Sequence, residues 1–313
     1  MKVQPWQLKQ RQGHPLEIKE RLTETRIRGW YEHWAGQIYV AFSGGKDSTV
    51  LLHQVRRLYP NVPAVFADTG LEYPEIKEFV KSVDNVHWVT PIIPFNQIIK
   101  KYGYPIVSKK VAKQIRTLQN PKSNNAASRK LYLTGIKRDG TKSKSFRLAK
   151  KWLPLINSGF KVSEKCCDIM KKEPLHKYAK LTKRKALIGT MAEDSNTREQ
   201  GYLTAGCNSF EGNNVRSLPM AFWLESDVWD YIKKYNLDYC KIYDMGAKRT
   251  GCMFCMFGVH LEQKPNRFQR MKTSHPKQYD YCINKLGCGK VMDFIGVDYG
   301  SDNQIELISD SNV

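Results

Sequence analysis

The sequence has little acidic charge, few cysteines and no long hydrophobic run. Its 313 residues contain 30 Asp and Glu against 51 Lys and Arg, which gives a formal net charge of +21. No apolar stretch approaches the roughly 18 residues that a membrane helix needs, and the N-terminus lacks the apolar core of a signal peptide. We therefore expect a cytoplasmic protein without a membrane partner. Eight cysteines in a chain of this length do not indicate a disulfide scaffold.

The basic residues are concentrated in one segment. Between Lys100 and Lys150 there are fifteen Lys and Arg but one acidic residue, Asp139. A run of charge is ordinarily a solvated surface, but this density favours a nucleic acid, either tRNA or DNA, as a partner. Four basic residues in "SKKVAKQIRTL" recur at helical spacing and are candidate contacts to a phosphate backbone: Lys109, Lys110, Lys113 and Arg116.

Short apolar runs alternate with amphipathic stretches along much of the chain. Four runs predict strands: "QIYVAF" (37–42), "PAVFADTG" (63–70), "VHWVTP" (86–91) and "KALIGTM" (185–191). Helical periodicity predicts helices at 15–34, 47–59, 73–83, 95–103 and 225–236, the last with Ser226 as N-cap. Strand–helix alternation of this kind predicts an α/β fold with a doubly wound, mostly parallel sheet.

The pattern also suggests where the chain divides. We expect an N-terminal helical extension at 1–36, a nucleotide-binding domain at 37–235 and a C-terminal cysteine-containing region with an acidic tail at 236–313. Within the central domain, about 100–150 forms a basic insertion, and its "NPKSNNAASRK" stretch predicts a flexible loop.

The first predicted strand runs into an unusual turn, "FSGGKDS". Gly44 and Gly45 allow the backbone to approach a ligand closely, and the free amides at the start of the following helix favour a phosphate. A Walker A loop is excluded, because Val40 stands where its first glycine belongs and Asp47 follows the lysine. An ordinary glycine-rich turn would leave the Lys46-Asp47 pair unexplained.

The turn resembles the S-G-G-x-D-S signature of the PP-loop ATP pyrophosphatases, which have an adenine nucleotide α-hydrolase-like fold. "VFADTGLEYPEIKEFV" is similar to the corresponding segment of the phosphoadenosine phosphosulfate (PAPS) reductase branch, and the likeness covers about 37–95 and 160–258. The resemblance implies that ATP or a sulfonucleotide binds with Mg²⁺, and that Asp47 positions the metal or orients Lys46. The residues it assigns to the nucleotide are Ser43, Gly44, Gly45, Lys46, Asp47, Ser48, Asp68 and Thr69.

A third segment, "GTMAEDSNTR", resembles the G-x-R-x-x-E-S-x-x-R turn of the same branch. Arg198 is retained and could clasp a phosphate or a substrate anion, but Met191 stands where an arginine is expected. The loss of that cation argues against a sulfated nucleotide as substrate. The candidate catalytic residues are therefore Lys46, Asp47, Ser48 and Arg198. For Asp68 and Thr69 an ordinary polar turn is the competing interpretation.

The cysteines fall into a Cys-Cys pair, "KCCDIMKKEPL", and a C-x-x-C, "RTGCMFCMFG". Four thiolates of this kind select iron–sulfur or zinc over hard cations. The arrangement resembles the [4Fe-4S] ligands of the iron–sulfur members of the branch, which implies that the ligands are Cys166, Cys167, Cys252 and Cys255. Cys207 is a rival ligand because adjacent cysteines are awkward joint ligands, Cys240 is a weaker contender, and Cys282 is expected to be an inert buried thiol.

Three functions remain open at this point. The reductases of the branch carry a late E-C-G-[LI]-H segment with the attacking cysteine, whereas here Cys288 is followed by glycine without the flanking Glu and His. We therefore expect a nucleic-acid sulfur-transfer enzyme, similar to PP-loop tRNA thiolases and DNA phosphorothioation ATPases, which adenylates its substrate, releases pyrophosphate and draws on a sulfur-donor protein. The second hypothesis is a divergent PAPS or adenylyl-sulfate reductase. The third is a non-catalytic module that binds a nucleotide and a nucleic acid.

Overall fold

The computed structural model describes residues 3–212 and 214–300. The helices, numbered along the chain, are α1 (Pro5–Gln12), α2 (Leu16–His33), α3 (Lys46–Leu58), α4 (Pro74–Lys81), α5 (Phe95–Lys101), α6 (Lys109–Gln119), α7 (Ala126–Thr134), α8 (Glu173–Thr182), α9 (Asn196–Ala205), α10 (Glu225–Lys234), α11 (Arg267–Ser274), α12 (Pro276–Asp280) and α13 (Cys288–Phe294). Among the helices of these residues, none combines the length and the apolar character that crossing a membrane requires.

The strands are short, and the longest have four residues. They are β1 (Ile38–Ala41), β2 (Ala64–Ala67), β3 (Val86–Val89), β4 (Ile106–Val107), β5 (Lys185–Ile188), β6 (Asn208–Ser209), β7 (Arg216–Ser217) and β8 (Met256–Phe257). Six of them form one sheet in the order β3-β2-β1-β5-β7-β6, which is parallel except for the antiparallel β6–β7 pair. The predicted α/β fold with a mostly parallel sheet is confirmed.

The chain divides into two compact units. Among the described residues, unit 1 contains those up to Pro91 and those from Lys171 to Gly251, and unit 2 contains Ile92–Met170 together with those from Cys252 to 300. This division differs from the predicted one. The predicted basic insertion belongs to a larger segment that folds with the C-terminal cysteine region, and residues 236–251 belong to unit 1. Periodicity along the chain cannot reveal such pairing, because the small β4–β8 sheet joins strands that are far apart in sequence.

Helices cover both faces of the sheet in unit 1. Alternate residues of β1 point to opposite faces: Val40 belongs to the same buried core as Leu51 of α3, whereas the ring of Tyr39 contacts that of Tyr178 in α8 at 5.2 Å. The fully buried Trp30 and Trp223 belong to the same core as Val40. Burial of this apolar surface is the main stabilising term for the unit.

The order of the strands determines where a ligand can bind in unit 1. From β1 the chain moves to β2 and β3 on one side, whereas β5 pairs with β1 on the other side. A crevice therefore forms beyond the carboxyl ends of β1 and β5, where the strand order reverses. The glycine-rich turn follows β1, and the "GTMAEDSNTR" turn follows β5.

In unit 2 short helices surround the two-stranded sheet. Ile106 pairs with Met256 and Val107 with Phe257. The predicted flexible loop at 120–130 is wrong in part, because Ala126–Thr134 is the helix α7, which is followed by Gly135 in the left-handed conformation.

In unit 1, the N-cap prediction for Ser226 is also wrong, because Leu224 occupies that position and its amide donates to the Asp227 carboxylate at 2.6 Å.

Candidate functional site

Two serine hydroxyls hold the glycine-rich turn of unit 1 in shape. The amide of Ser43 donates to Ser48 Oγ at 3.1 Å, and Ser48 Oγ donates to the carbonyl of Gly45 at 2.9 Å. Gly44 has φ +69, and a Cβ there would lie 2.8 Å from a methyl of Val80 and 2.9 Å from one of Ile76. Only glycine combines this conformation with this close approach. The turn is therefore a preformed backbone cradle at the N-terminus of α3.

Lys46 is buried within a group of carboxylates. The residue is 4% exposed. Its ammonium lies 3.1 Å from Asp47 Oδ1 and 3.1 Å from Glu225 Oε1. Burial lowers the pKa of Lys46, but the two carboxylates outweigh it and the net shift is upward. Burial, with repulsion from Asp194 and Glu225, raises the pKa of Asp47 despite the attraction of Lys46. Lys46 is therefore a charged lysine, held in position by two carboxylates, that can bind a polyphosphate.

A loop of unit 1 that the sequence did not indicate covers this cradle. The amide of Lys46 donates to Tyr243 Oη at 2.9 Å, and a Cβ on Gly45 would lie only 2.3 Å from Thr250 Oγ1. Tyr243 Oη therefore accepts the hydrogen bond that the Lys46 amide, at the start of the helix, would otherwise donate to a phosphate oxygen. Tyr243, Thr250 and Glu225 are functional candidates that were missed, because they contact the turn from about 180–200 residues away in the chain and carry no local motif.

The turn after β5 packs directly against the start of α3. A Cβ on Gly189 would lie 2.8 Å from the carbonyl oxygen of Asp47. Arg198 is exposed, and its guanidinium pairs with Asp194, which also lies 3.8 Å from Arg249. Met191, which stands in place of the expected arginine, is buried in the core at 2% exposure. The retained arginine thus lies at the crevice with part of its donor capacity already used.

Asp68 and Thr69 are held mainly by their own turn. Asp68 Oδ1 accepts from the amide of Gly70 at 2.9 Å and pairs with Lys77 at 2.7 Å. The amide and the hydroxyl of Thr69 donate to Glu72 at 2.9 and 2.7 Å. These bonds are those of a well-formed polar turn, and the contact of either residue with a nucleotide stays a prediction.

The four predicted cluster ligands all belong to unit 2. The Sγ atoms of Cys166 and Cys167 lie 4.0 Å apart. The hydrogen bond to Cys167, burial, and the nearby thiols of Cys255 and Cys252 raise the pKa of Cys166. Burial and Cys252 raise the pKa of Cys255 to about 11. Four soft donors thus lie in unit 2 within electrostatic reach of one another.

The donor set fits a soft metal centre. Four thiolates select iron–sulfur or zinc over hard cations. Within the described ranges 3–212 and 214–300, no three Cys, His, Asp or Glu side chains converge as ligands of a single ion do. Which of the two metals these cysteines hold stays a prediction.

The remaining cysteines are enclosed by protein. Cys207, the rival ligand, is 7% exposed in the core of unit 1 with Cys240, and burial raises the pKa of both. In unit 2, Cys282 and Cys288 are fully buried, and burial followed by a hydrogen bond to Cys288 raises the pKa of Cys282. A thiol without solvent exposure and with a raised pKa is a poor nucleophile. The inert role expected for Cys282 agrees with this burial.

The basic segment of unit 2 presents its charge to solvent. Of its fifteen Lys and Arg, thirteen are exposed, and Arg116 and Arg129 are half-buried. Lys109 and Lys113 project from α6, whereas Lys110 donates to the carbonyl of Ser145. Arg116 forms a bidentate pair with Glu164 at 2.8 and 3.0 Å, so its charge is locally compensated. Of the four predicted phosphate contacts, Lys110 and Arg116 are thus engaged within the protein, whereas Lys109 and Lys113 present their charge to solvent.

Comparison with known proteins identifies the family. The profile of the phosphoadenosine phosphosulfate reductase domain matches residues 37–146 and 137–257, which is more than half of the chain. The chain belongs to this family. The match includes the basic segment as well as the glycine-rich turn, and it ends just after Cys255. The predicted membership of the PAPS reductase branch is confirmed.

Individual relatives of the PAPS reductase family are distant. An uncharacterized protein of Methanocaldococcus jannaschii is 26% identical over 87% of this chain, which spans about half, 53%, of that protein's length. Adenosine 5'-phosphosulfate reductases of Anoxybacillus flavithermus and Lysinibacillus sphaericus are each 25% identical, over 82% and 73% of this chain and 89% and 77% of their own.

Two solved structures also align with the chain at low similarity. The PAPS reductase of Candida auris, in a phosphate complex, aligns with a TM-score of 0.43 and 15% identity over 80% of this chain and 97% of its own. The U34-tRNA thiolase of Methanococcus maripaludis with its [4Fe-4S] cluster aligns with a TM-score of 0.36 and 13% identity over 91% and 84%.

Proposed function

We propose that this member of the PAPS reductase family binds ATP, adenylates a nucleic acid and transfers sulfur to it, with release of pyrophosphate. The observation that carries the proposal is the exposed basic segment of unit 2, in which thirteen of fifteen Lys and Arg face solvent against one acid. A small sulfonucleotide can contact only a small part of such an extended cationic surface, whereas a nucleic-acid backbone can contact many of its charges at once.

The residues of the cradle have defined roles in the first step. An oxygen of the nucleic acid attacks the α-phosphorus of ATP, the bond from that phosphorus to the α,β-bridging oxygen breaks, and pyrophosphate leaves with that oxygen. The amides of Gly45 and Lys46, with the Lys46 ammonium, stabilise the charge of the leaving group. Tyr243 must release the Lys46 amide when a phosphate binds there. Asp47 would hold Mg²⁺, which neutralises phosphate charge when bound.

In the second step the sulfur of a sulfide donor attacks the carbon whose oxygen has been adenylated. The new carbon–sulfur bond replaces the carbon–oxygen bond, and AMP leaves with that oxygen. Cys166, Cys167, Cys252 and Cys255 would hold an iron–sulfur cluster, which when bound supplies a site for sulfur. Arg198 at the crevice is the candidate to neutralise the departing AMP.

The test is release of pyrophosphate and AMP from ATP with and without tRNA or duplex DNA. We expect nucleic acid to stimulate release, and Lys46→Gln to lower the rate about 100- to 1000-fold, as removal of a charge-stabilising donor does elsewhere. Lys81→Gln, an exposed lysine of unit 1, is the matched control and should behave as wild type. Equal release with and without nucleic acid would contradict the proposal, and tight ATP binding without any release would favour the non-catalytic module.

A sulfonucleotide reductase is the second candidate, favoured by the family itself and by the adenosine 5'-phosphosulfate reductases among its relatives. The complete burial of Cys288 opposes it, because that thiol cannot reach a substrate as placed. Release of sulfite from a sulfonucleotide with a thiol donor, lost in Cys288→Ser, would support the reductase.

The metal content separates the two cofactor alternatives. After anaerobic purification we expect about four irons per chain and broad visible absorption, both lost in Cys167→Ser and retained in the control Cys282→Ser. One zinc in a colourless protein would assign the cysteines a structural role.

A further inference from the structure

A cavity in unit 2 has no part in the proposed chemistry. Its volume is about 690 Å³, and residues from three parts of unit 2 line it: Asn96, Ile99, Lys100, Tyr104, Ser158, Gly159, Phe160, Tyr281, Asn284, Lys285, Leu286, Gly287, Lys290, Val291 and Phe294. This volume lies in the range of pockets that bind small organic ligands, roughly 300–1000 Å³. An inorganic phosphate would leave most of it empty.

Aromatic rings form one side of the cavity and are held in fixed positions. Phe160 contacts Phe294 edge-to-face at 5.4 Å and Tyr104 at 5.9 Å. The hydroxyl of Tyr104 donates to the carbonyl of Leu286 at 2.8 Å. Phe294 and Tyr281 are nevertheless each 45% exposed. Exposed aromatic rings are suited to stacking against a planar ligand.

The polar part of the lining is cationic. The lining lysines Lys100, Lys285 and Lys290 are exposed. No acidic side chain of the described residues lines the cavity. Asp280, outside the lining, accepts a hydrogen bond from the lining residue Asn284 at 2.7 Å. The cavity therefore combines a positive rim with aromatic and amide groups.

We propose that this cavity binds one unpaired nucleotide of a nucleic-acid strand. The base stacks on Phe294, and Lys285 and Lys290 contact its flanking phosphates. Stacking on aromatic side chains together with cationic contacts to the backbone is how proteins hold single strands without reading their sequence. The choice of a nucleic acid as ligand rests on the proposed function, but the site itself is separate from the PP-loop.

The test measures binding of the full-length protein to a fluorescein-labelled 12-nucleotide oligouridylate over a series of salt concentrations. We expect Phe294→Ala to weaken binding about 5- to 100-fold, because one base loses its stacking partner, while Phe294→Tyr retains affinity. The double variant Lys285→Gln/Lys290→Gln should flatten the logarithmic salt slope by about 1.4, since each contact to a single strand contributes about 0.7.

The matched control is Lys81→Gln/Lys277→Gln, which removes the same charge from exposed lysines outside the cavity. If the cavity variants bind the oligonucleotide as this control does, or if Phe294→Tyr loses as much affinity as Phe294→Ala, the inference is overturned. Pyrophosphate release is measured separately. Normal strand binding by cavity variants with intact release refutes the cavity alone, whereas no release with cavity-dependent binding refutes the sulfur-transfer proposal alone.

Discussion

Substitution of Gly189 tests whether the crevice depends on the close packing of two turns. An added Cβ would lie 2.8 Å from the carbonyl oxygen and 3.0 Å from the carbonyl carbon of Asp47, and 3.2 Å from Cα of Ser48. All three atoms are backbone, so no side chain can rotate to relieve the clash. Overpacking of this kind costs about 1–3 kcal/mol of the free energy of unfolding. For a domain of this size, that corresponds to a fall in Tm of about 2–12 °C.

The assay combines thermal unfolding with ATP binding by titration calorimetry. We expect Gly189→Ala to lower Tm and to weaken ATP binding, because the clash must shift the start of α3 away from the position that presents its amides. Gly201→Ala is the matched control. No atom lies within 4 Å of the added carbon there, and alanine in the interior of α9 should stabilise the protein by about 0.5–1 kcal/mol.

The two glycines therefore should respond with opposite signs. If Gly189→Ala unfolds at the wild-type temperature and binds ATP with wild-type affinity, the turn after β5 does not support the cradle. A fall in Tm with unchanged affinity would show that the packing stabilises the fold but leaves the nucleotide site unaffected.

Three further predictions concern contacts of single residues. Tyr243→Phe should raise ATP affinity about 2- to 12-fold in titration calorimetry, because the first amide of α3 loses the hydroxyl that competes with phosphate; weaker binding would mean that the hydroxyl itself contacts the nucleotide. Lys19→Met should lower the unfolding free energy by about 3–5 kcal/mol in urea, because it leaves the Asp227 carboxylate, 2.6 Å from the ammonium, without its buried partner; a loss below 1 kcal/mol would contradict this. Burial raises the pKa of Glu164, but the hydrogen bond and the charge of Arg116 outweigh it. The pKa of Glu164 is therefore lowered from its ordinary value of 4.5. The carboxylate thus stabilises the fold above pH 4.5, and that stability is lost as the pH falls through the lowered pKa. The Tm difference between wild type and Glu164→Gln should therefore shrink on acidification, and a constant difference would refute it.

The parts of unit 1 that depend on local pattern were predictable. The runs at 37–42, 63–70, 86–91 and 185–191 became β1, β2, β3 and β5, because alternating apolar strands and amphipathic helices follow from neighbouring residues alone. The glycine-rich turn was predictable for the same reason, since its φ > 0 at Gly44 and its hydroxyl bonds lie within six residues.

Other features depend on residues far apart in sequence and gave no local signal. Tyr243 and Glu225 reach Lys46 only because α10 and the following loop fold back over the turn. Helix α7 begins within a stretch whose Asn, Ser and Lys content favours a loop, and the residues Leu131 to Thr134 extend it beyond that stretch. The predicted acidic tail lies at 301–313, outside the described residues.

The two-unit division was also hidden from the sequence. It arises because the segment from Ile92 to Met170 folds with residues after Cys252 through the β4–β8 pair. Two-residue strands are too short to show a period. The four cysteines could be grouped from their motifs, whereas the cavity lined by Phe294 and Lys285 could not, because its walls come from three distant segments.

The most direct measurement of the central claim is transfer of labelled sulfur to nucleic acid. Anaerobically purified protein would be incubated with ATP, Mg²⁺, ³⁵S-sulfide and either tRNA or duplex DNA, and the label in the recovered nucleic acid would be counted. We predict incorporation that requires ATP, is accompanied by pyrophosphate release and is abolished by Lys46→Gln. No incorporation into either nucleic acid, together with sulfite release from a sulfonucleotide by the same preparation, would contradict the claim and identify a reductase.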